Sequence, residues 1–257
     1  MNQDWNPQHY LAFADERTRP AADLLARIRH RPAARIADLG CGPGNSTALL
    51  AQTWRNADIT GVDTSPAMLA QARETLPHAR FVQADFTEWH SDAPLDIIFA
   101  NASLQWASQH DKLLPQLINQ LAANGVLAVQ MPDNLNEPSH RLMRDTAHSP
   151  KWRDKMRGLP VRPDLPAVTD YYDILAQTGC RADIWRTAYH HVLPDVQSIV
   201  RWFGSTALRP YLNALDEAER AEFGEDYLAR LRQAYPPRAD GNILLTLPRL
   251  FVVAEKI

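Results

Sequence analysis

An α/β fold built on a mostly parallel sheet is what this 257-residue chain predicts, on three observations. Apolar runs of strand length alternate with helix-length segments through the first two-thirds, the pattern of parallel strands joined by right-handed crossovers. Three of the ten glycines, Gly40, Gly42 and Gly44, fall within five residues, at a point where the backbone must approach something closely. The run Leu95–Asn101 is apolar almost throughout, as a parallel strand buried on both faces requires.

The elements follow in order. Arg35-Ile36-Ala37-Asp38 is a strand leading into the glycines, and a helix runs from Asn45 to about Trp54. Asp58–Asp63 reads as the second strand. Ser65 is a suitable N-cap and Pro66 a suitable first helical residue for the helix after it. Arg80–Asp85 reads as the third strand and Leu95–Asn101 as the fourth. A helix over about 112–122 leads through Asn124-Gly125 to a fifth strand, Val126–Gln130. Six prolines between Pro132 and Pro166 make 133–168 an irregular excursion with a short helix near 141–147. Tyr171–Gln177 reads as a helix ending at Gly179, and Asp183–Leu193 as a strand. Residues 196–234 carry apolar side chains at helical spacing, such as Leu228, Leu231 and Tyr235. Strand character returns over 243–257. This predicts one domain over 1–257, with insertions at about 133–168 and 194–242. Both leave from the carboxyl edge of the sheet, where open α/β sheets bind ligands, so they are expected to cap the site.

Composition narrows the function. Lys plus Arg number 27 against 30 Asp plus Glu, a formal charge of −3, which argues against a nucleic-acid partner. No apolar run reaches the roughly 18 residues that span a bilayer, and the first ten residues lack a signal-peptide profile. Two cysteines, Cys41 and Cys180, make no disulfide framework or zinc site. A cytoplasmic protein is expected. The nine histidines show no metal-ligand spacing, so no metal is expected.

The chemistry-bearing residues collect at strand ends. Asp38-Leu39-Gly40-Cys41-Gly42-Pro43-Gly44-Asn45 joins a strand to a helix whose first N–H groups are unmet. Asp63, ending the second strand, can accept both hydroxyls of a ribose. Asp85, followed by Phe86, can accept from an adenine amino group, while Met68 is equally suited to the adenine face or to the core. Asn101 ends the fourth strand at the centre of the ligand edge. A dinucleotide-binding dehydrogenase prefers G-x-G-x-x-G, whereas these glycines read G-x-G-x-G. A dehydrogenase, or a protein that holds the nucleoside without turnover, are the readings from other classes.

This pattern resembles class I S-adenosylmethionine-dependent methyltransferases, whose D/E-x-G-x-G-x-G loop Asp38–Gly44 matches at every position. The resemblance implies a Rossmann-like seven-stranded sheet of order 3-2-1-4-5-7-6, with strand 7 antiparallel. Further segments resemble the trans-aconitate 2-methyltransferase family. They include Asp4-Trp5-Asn6-Pro7, Tyr10, Phe13–Pro20, Phe99–Trp106, Val129–Asn134, Tyr171–Leu175, Asp183–Thr187, Leu208-Arg209-Pro210 and Pro248–Phe251; only about 148–165 diverges. That family implies S-adenosylmethionine as methyl donor, S-adenosylhomocysteine as product, and a small tricarboxylate substrate that becomes a monomethyl ester. Another small acid or acceptor is the alternative. A carboxylate is already ionised near neutral pH, so no general base is expected. Arginine meets carboxylates bidentately. Arg17, Arg209 and Arg249 are candidates for holding substrate, and Arg19 for the methionine carboxylate. Arg17 and Arg19 are expected to precede the first helix, in a segment folding over the cofactor. Tyr10, Gln105, Trp106 and Tyr171 are further contact candidates, and Cys41 is expected to contribute backbone only.

Overall fold

The computed structural model describes residues 14–204 and 206–257, with side chains from Thr18 onward. A seven-stranded sheet has the order β3-β2-β1-β4-β5-β7-β6. Its strands are β1 Arg35–Leu39, β2 Asp58–Asp63, β3 Arg80–Gln83, β4 Leu95–Asn101, β5 Leu121–Pro132, β6 Cys180–Leu193 and β7 Ile243–Lys256. The first five pair in parallel, and β7 runs antiparallel to β5 with Gln130 opposite Phe251 and Pro132 opposite Arg249. The order and the reversed last strand are those expected.

Helices α1 (Ala14–Ile28), α2 (Asn45–Thr53), α3 (Pro66–Thr75) and α4 (His110–Asn119) are followed by α5 (Pro138–Ala147) and α6 (Val168–Gln177). Helices α7 (Gln197–Gly204), α8 (Arg209–Asn213) and α9 (Glu217–Ala234) follow. Ser65 caps α3 by accepting the Met68 N–H at 3.2 Å, with Pro66 in the first turn. Strand side chains alternate between faces. Ala37, Leu39, Ile98, Ala100, Leu127, Val129, Leu250 and Val252 point to one side, where Leu113, Leu114, Leu117 and Ile118 of α4 join them in the main core. The next residues along each strand therefore face the other side, where α1 packs on β5. There Trp185 stacks on Phe251 at 4.8 Å, and the Arg27 guanidinium of α1 lies 5.8 Å from the Trp185 ring centre.

The chain forms two compact units. The first comprises residues up to Pro132, Pro163–Thr187 and Arg249–Ile257, and the second Asp133–Arg162 and Ala188–Pro248. The excursion expected at 133–168 thus divides, with 133–162 packing with 188–248 in the second unit and 163–168 belonging to the first. Tyr227 of α9 donates to the Ser139 carbonyl at 2.9 Å, and the Ser139 N–H donates to Tyr235 Oη at 3.0 Å. Trp152 meets Phe223 edge-on at 5.5 Å and donates its indole N–H to Asp226 at 2.8 Å.

Several boundaries differ from expectation: β5 extends to Leu121–Pro132, β6 begins at Cys180, α5 at Pro138 and α6 at Val168, and three further differences bear on the site. Strand β3 stops at Gln83 rather than Asp85, because the Asp85 carboxylate and carbonyl are committed to a turn. Helix α4 ends at Asn119, and Leu121 is already in β5, paired with Leu95. Arg17 and Arg19 lie within α1 rather than before it.

Candidate active site at the carboxyl edge

The turn after β1 is fixed by two strands. The N–H groups of Gly40 and Cys41 both donate to the Val62 carbonyl of β2, at 2.7 and 3.1 Å. Gly40 has φ +69°, and a Cβ there would stand 2.3 Å from Ser103 Cβ, so the site admits only glycine. Ser103 in turn donates its hydroxyl to the Leu39 carbonyl at 2.6 Å. Gly42 also has positive φ, +53°, but a Cβ there would meet nothing. The first glycine is packed against protein, and the second faces open space. Gly44 (φ +93°) precedes α2, and the Ala48 N–H bonds its carbonyl at 2.8 Å. A pocket opens here, lined by Thr18 and Ala21 of α1, Gly40–Pro43, Asn45, Ser46 and Asn101.

Asp38 lies fully buried beneath this turn. Its Oδ2 accepts the hydroxyls of Ser46 (2.8 Å) and Thr47 (2.6 Å), while Oδ1 is buried and has no partner. Burial raises its pKa to about 6, despite those two hydrogen bonds. Ser46 and Thr47 were not foreseen as site residues. The signal was a pair of hydroxyls one turn beyond a buried acid. An anionic oxygen without a protein donor, beside a pocket, suits a cationic ligand group.

Asp63 ends β2. Its Oδ2 accepts the Gly42 N–H and its Oδ1 the Ser65 N–H, each at 2.9 Å. Each oxygen keeps a second lone pair, so ribose hydroxyls can still be accepted at the end of this strand. Asp85 is exposed and does not end a strand. Its Oδ1 takes the Thr87 N–H (2.8 Å) and hydroxyl (2.7 Å). The Ala84 N–H bonds the Asp63 carbonyl at 3.1 Å, which keeps Asp85 close to β2. Phe86 packs against the main core, and Met68 is buried at 4% exposure. Cys41 is buried, its thiol held protonated chiefly by burial, in a small cluster with Leu69, Ala72 and Phe81. Its thiol lies 3.7 Å from the Gly42 carbonyl oxygen within the turn.

Asn101 ends β4, and its Oδ1 is buried without a partner. Ala102 follows in the left-handed region, φ +54°, a conformation that costs a Cβ-bearing residue about 1 kcal/mol. Gln105 is buried in the short turn Leu104–Trp106. It donates to the Ala102 carbonyl at 2.7 Å while its Oε1 has no partner. Trp106 is 45% exposed. Tyr171 is a correction. It is fully buried in the main core, and its hydroxyl bonds His110 Nδ1 at 2.6 Å, while His110 Nε2 bonds the Leu104 carbonyl at 2.9 Å. Tyr171 therefore braces the Leu104–Trp106 turn and does not line the pocket. Burial lowers the His110 pKa, so this brace is a neutral imidazole.

The arginines separate. Arg249, opposite Pro132, stands at the carboxyl edge of the first unit. Arg209 begins α8 in the second unit. Arg19 is exposed, and the helical step of about 100° per residue puts it on the far side of α1 from Ala21. Tyr10 and the Arg17 side chain lie outside the described residues. Among the described residues, no cluster of three or more His, Cys, Asp or Glu could hold a metal, and no helix is long and apolar enough to cross a membrane.

Comparison with known proteins gives a consistent result. Residues 36–125 match the family model described as a methyltransferase domain. A trans-aconitate 2-methyltransferase from Klebsiella pneumoniae (strain 342) is 52% identical over 254 residues, covering 99% of this chain and 98% of that one. One from Yersinia pseudotuberculosis serotype O:1b is 51% identical over 254 residues, with 98% of each covered. A solved S-adenosylmethionine-dependent methyltransferase from Thiobacillus denitrificans, in complex with S-adenosylhomocysteine, superposes with a TM-score of 0.55. It is 19% identical and covers 98% of this chain and 99% of that one, a likeness of fold.

Proposed function

The chain belongs to the trans-aconitate 2-methyltransferase family, and from that premise we propose that it methylates one carboxylate of trans-aconitate to the monomethyl ester, with S-adenosylmethionine as donor. The observation that carries the donor is the glycine turn. Gly42 is open to the pocket, Asp63 closes on its N–H, and the unmet Asp38 Oδ1 lies beneath. Asp63 is suited to the ribose, the first N–H groups of α2 to the polar nucleoside edge, and Asp38 to the ammonium of the amino-acid end. When bound, the donor supplies an electrophilic methyl on a sulfonium.

The protein's own task is then positional. The acceptor oxygen is ionised near neutral pH, so no side chain need take a proton. Rate comes from holding that oxygen in line and stripping its water. Arg249, at the carboxyl edge, is suited to one of the remaining carboxylates. We assign Arg209, at the start of α8, a substrate carboxylate. Arg17 and Tyr10 remain contact candidates from the amino-terminal segment, and Gln105 and Trp106 from the turn after β4. Both cysteines are buried and unpaired, which fits a reducing compartment, and we place the enzyme in the cytoplasm.

A methyl-transfer assay with labelled S-adenosylmethionine over trans-aconitate, cis-aconitate, citrate and isocitrate tests the reading. Strong preference for trans-aconitate is expected. Donor binding with no turnover on any of the four acids would remove the substrate and keep the donor. Within an active enzyme, Arg209→Ala should raise KM for trans-aconitate at least about tenfold, the worth of one lost charge-assisted contact. The KM for the donor should stay within twofold. Equal rises in both would remove Arg209 from the substrate.

A further inference from the structure

Sequence alone gives Gln130 a place in a strand and in the family-like segment Val129–Asn134 but no role, and the structure gives it another character. It is the tenth residue of β5 and 1% exposed. Val129 and Met131 on either side belong to the main core, so Gln130 points to the opposite face, the one α1 packs on. Both ends of its amide, Nε2 and Oε1, are buried and have no hydrogen-bond partner. Leaving one such group unmet costs a protein as much as losing a hydrogen bond or more.

Its neighbours share that state. Asn101 is the paired residue on β4 and lies on the same face, and its Oδ1 is also unmet. Two adjacent amides could satisfy each other, and these do not. On β1, Asp38 is on the same face, beside Phe99 in register and one pleat below Asn101, and its Oδ1 is unmet too. Three neighbouring strands thus carry three unmet oxygens and one unmet N–H₂ on one face at one edge. Asn101 and the glycine turn over Asp38 line the pocket there.

The balance of donors and acceptors selects the ligand group. A polycarboxylate brings acceptors alone, and would leave these oxygens unmet or repelled. An α-amino acid brings an ammonium with three N–H donors and a carboxylate beside it. We infer that Gln130 is a positioning residue for the amino-acid end of the methyl donor. Its Oε1 shares the ammonium with Asn101 and Asp38, and its Nε2 donates to the α-carboxylate. This rests on the reading of the donor given above.

The test uses the full chain and two ligands that differ only at that end. S-Adenosylhomocysteine carries the amino acid, and 5′-methylthioadenosine lacks it. Gln130→Leu should weaken S-adenosylhomocysteine about tenfold or more by calorimetric titration, the effect of losing a hydrogen bond to a charged group. Binding of 5′-methylthioadenosine should stay within twofold. The ligand-free Tm should hold or rise, because an unmet amide has been replaced by apolar volume. Gln130→Met, with an unbranched chain, should behave alike. Unchanged S-adenosylhomocysteine affinity, equal loss of both ligands, or a ligand-free Tm several degrees lower in both variants would overturn the assignment. A raised KM for trans-aconitate with donor affinity intact would also overturn it, moving the amide to the acceptor. Failure of the unsubstituted protein to bind S-adenosylhomocysteine is a separate result, and would remove the donor reading itself.

Discussion

At the amino edge of the sheet, side chains close the fold. Asp96 turns Oδ2 onto the N–H groups of Ala34 and Arg35 at 2.7 and 2.9 Å. Lys256 donates to the carbonyls of Ile118 and Leu121, where α4 meets β5, and Glu255 holds Arg31 with both oxygens. Among the described residues, Asp38, Asn101, Gln105 and Gln130 each bury a polar atom with no partner at the carboxyl edge, whereas Gln120 Nε2 is the one such atom near the amino edge. A larger cleft does lie at the amino edge, lined by Arg35, Asp58, His78, Arg80, His90 and Asp92 among others. Those six side chains are all solvent-exposed. Cleft size alone would choose the wrong edge. Unmet buried polarity, which costs stability and persists where something else needs it, chooses the carboxyl edge.

The largest expected effect separates structure from function inside one turn. Gly40→Ala places a Cβ 2.3 Å from Ser103 Cβ at φ +69°, and should cost more than about 3 kcal/mol in urea unfolding. Gly42→Ala meets no protein atom, and should cost only about 1 kcal/mol for the left-handed backbone. Its methyl, however, enters the pocket, so affinity for S-adenosylhomocysteine should fall at least about tenfold. If the two variants lost stability equally, the contrast between a packed and an open glycine would be broken.

The same contrast explains what the sequence discloses. Strand and helix positions follow local periodicity, and the glycine turn with its flanking acids announces itself within eight residues. Boundaries were misread where a distant partner decides. Leu121-Ala122 reads as helix, yet Leu121 pairs with Leu95, and the chain turns afterwards through Asn124 at φ +62°. Tyr171 looked like a ligand contact because its partner, His110, lies 61 residues away. Asp38 stands out within the motif, but Ser46 and Thr47, which hold it, follow the motif rather than belong to it. Gln130 was passed over because a polar residue in a strand is ordinary until its face and its missing partners are known.

Asp38 sharpens the comparison through pH. Burial raises its folded pKa to about 6 from an unfolded value near 4. A raised folded pKa means its favourable contribution is fully present below the unfolded pKa and is lost as pH rises through 6. Two units correspond to at most about 3 kcal/mol between pH 4 and 7. Asp195, Asp226 and Glu255, with lowered pKa values, change in the opposite sense, so the comparison must be made against a variant. The stability of Asp38→Asn relative to the parent should rise with pH from 4 to 7 in the ligand-free protein. Affinity for S-adenosylhomocysteine should show the reverse. In the parent it should strengthen as Asp38 ionises, and in Asp38→Asn that part of the slope should vanish. A parent and variant with parallel titrations in both measurements would detach Asp38 from the ligand.

The smallest effect tests the other edge. Asp96→Ala removes the acceptor for two N–H groups near the surface, which water can take over, so a loss of about 1–2 kcal/mol is expected. Affinity for S-adenosylhomocysteine should stay within twofold, because β1 and β4 carry the substitution at their far ends and the glycine turn is held by Val62 and Ser103 instead. A tenfold loss of affinity would mean that the turn depends on the seating of β1 against β4 along its whole length. The two edges would then be one coupled structure, and the unmet groups at the carboxyl edge would have to be explained as strain transmitted from the amino edge rather than as places kept for a ligand.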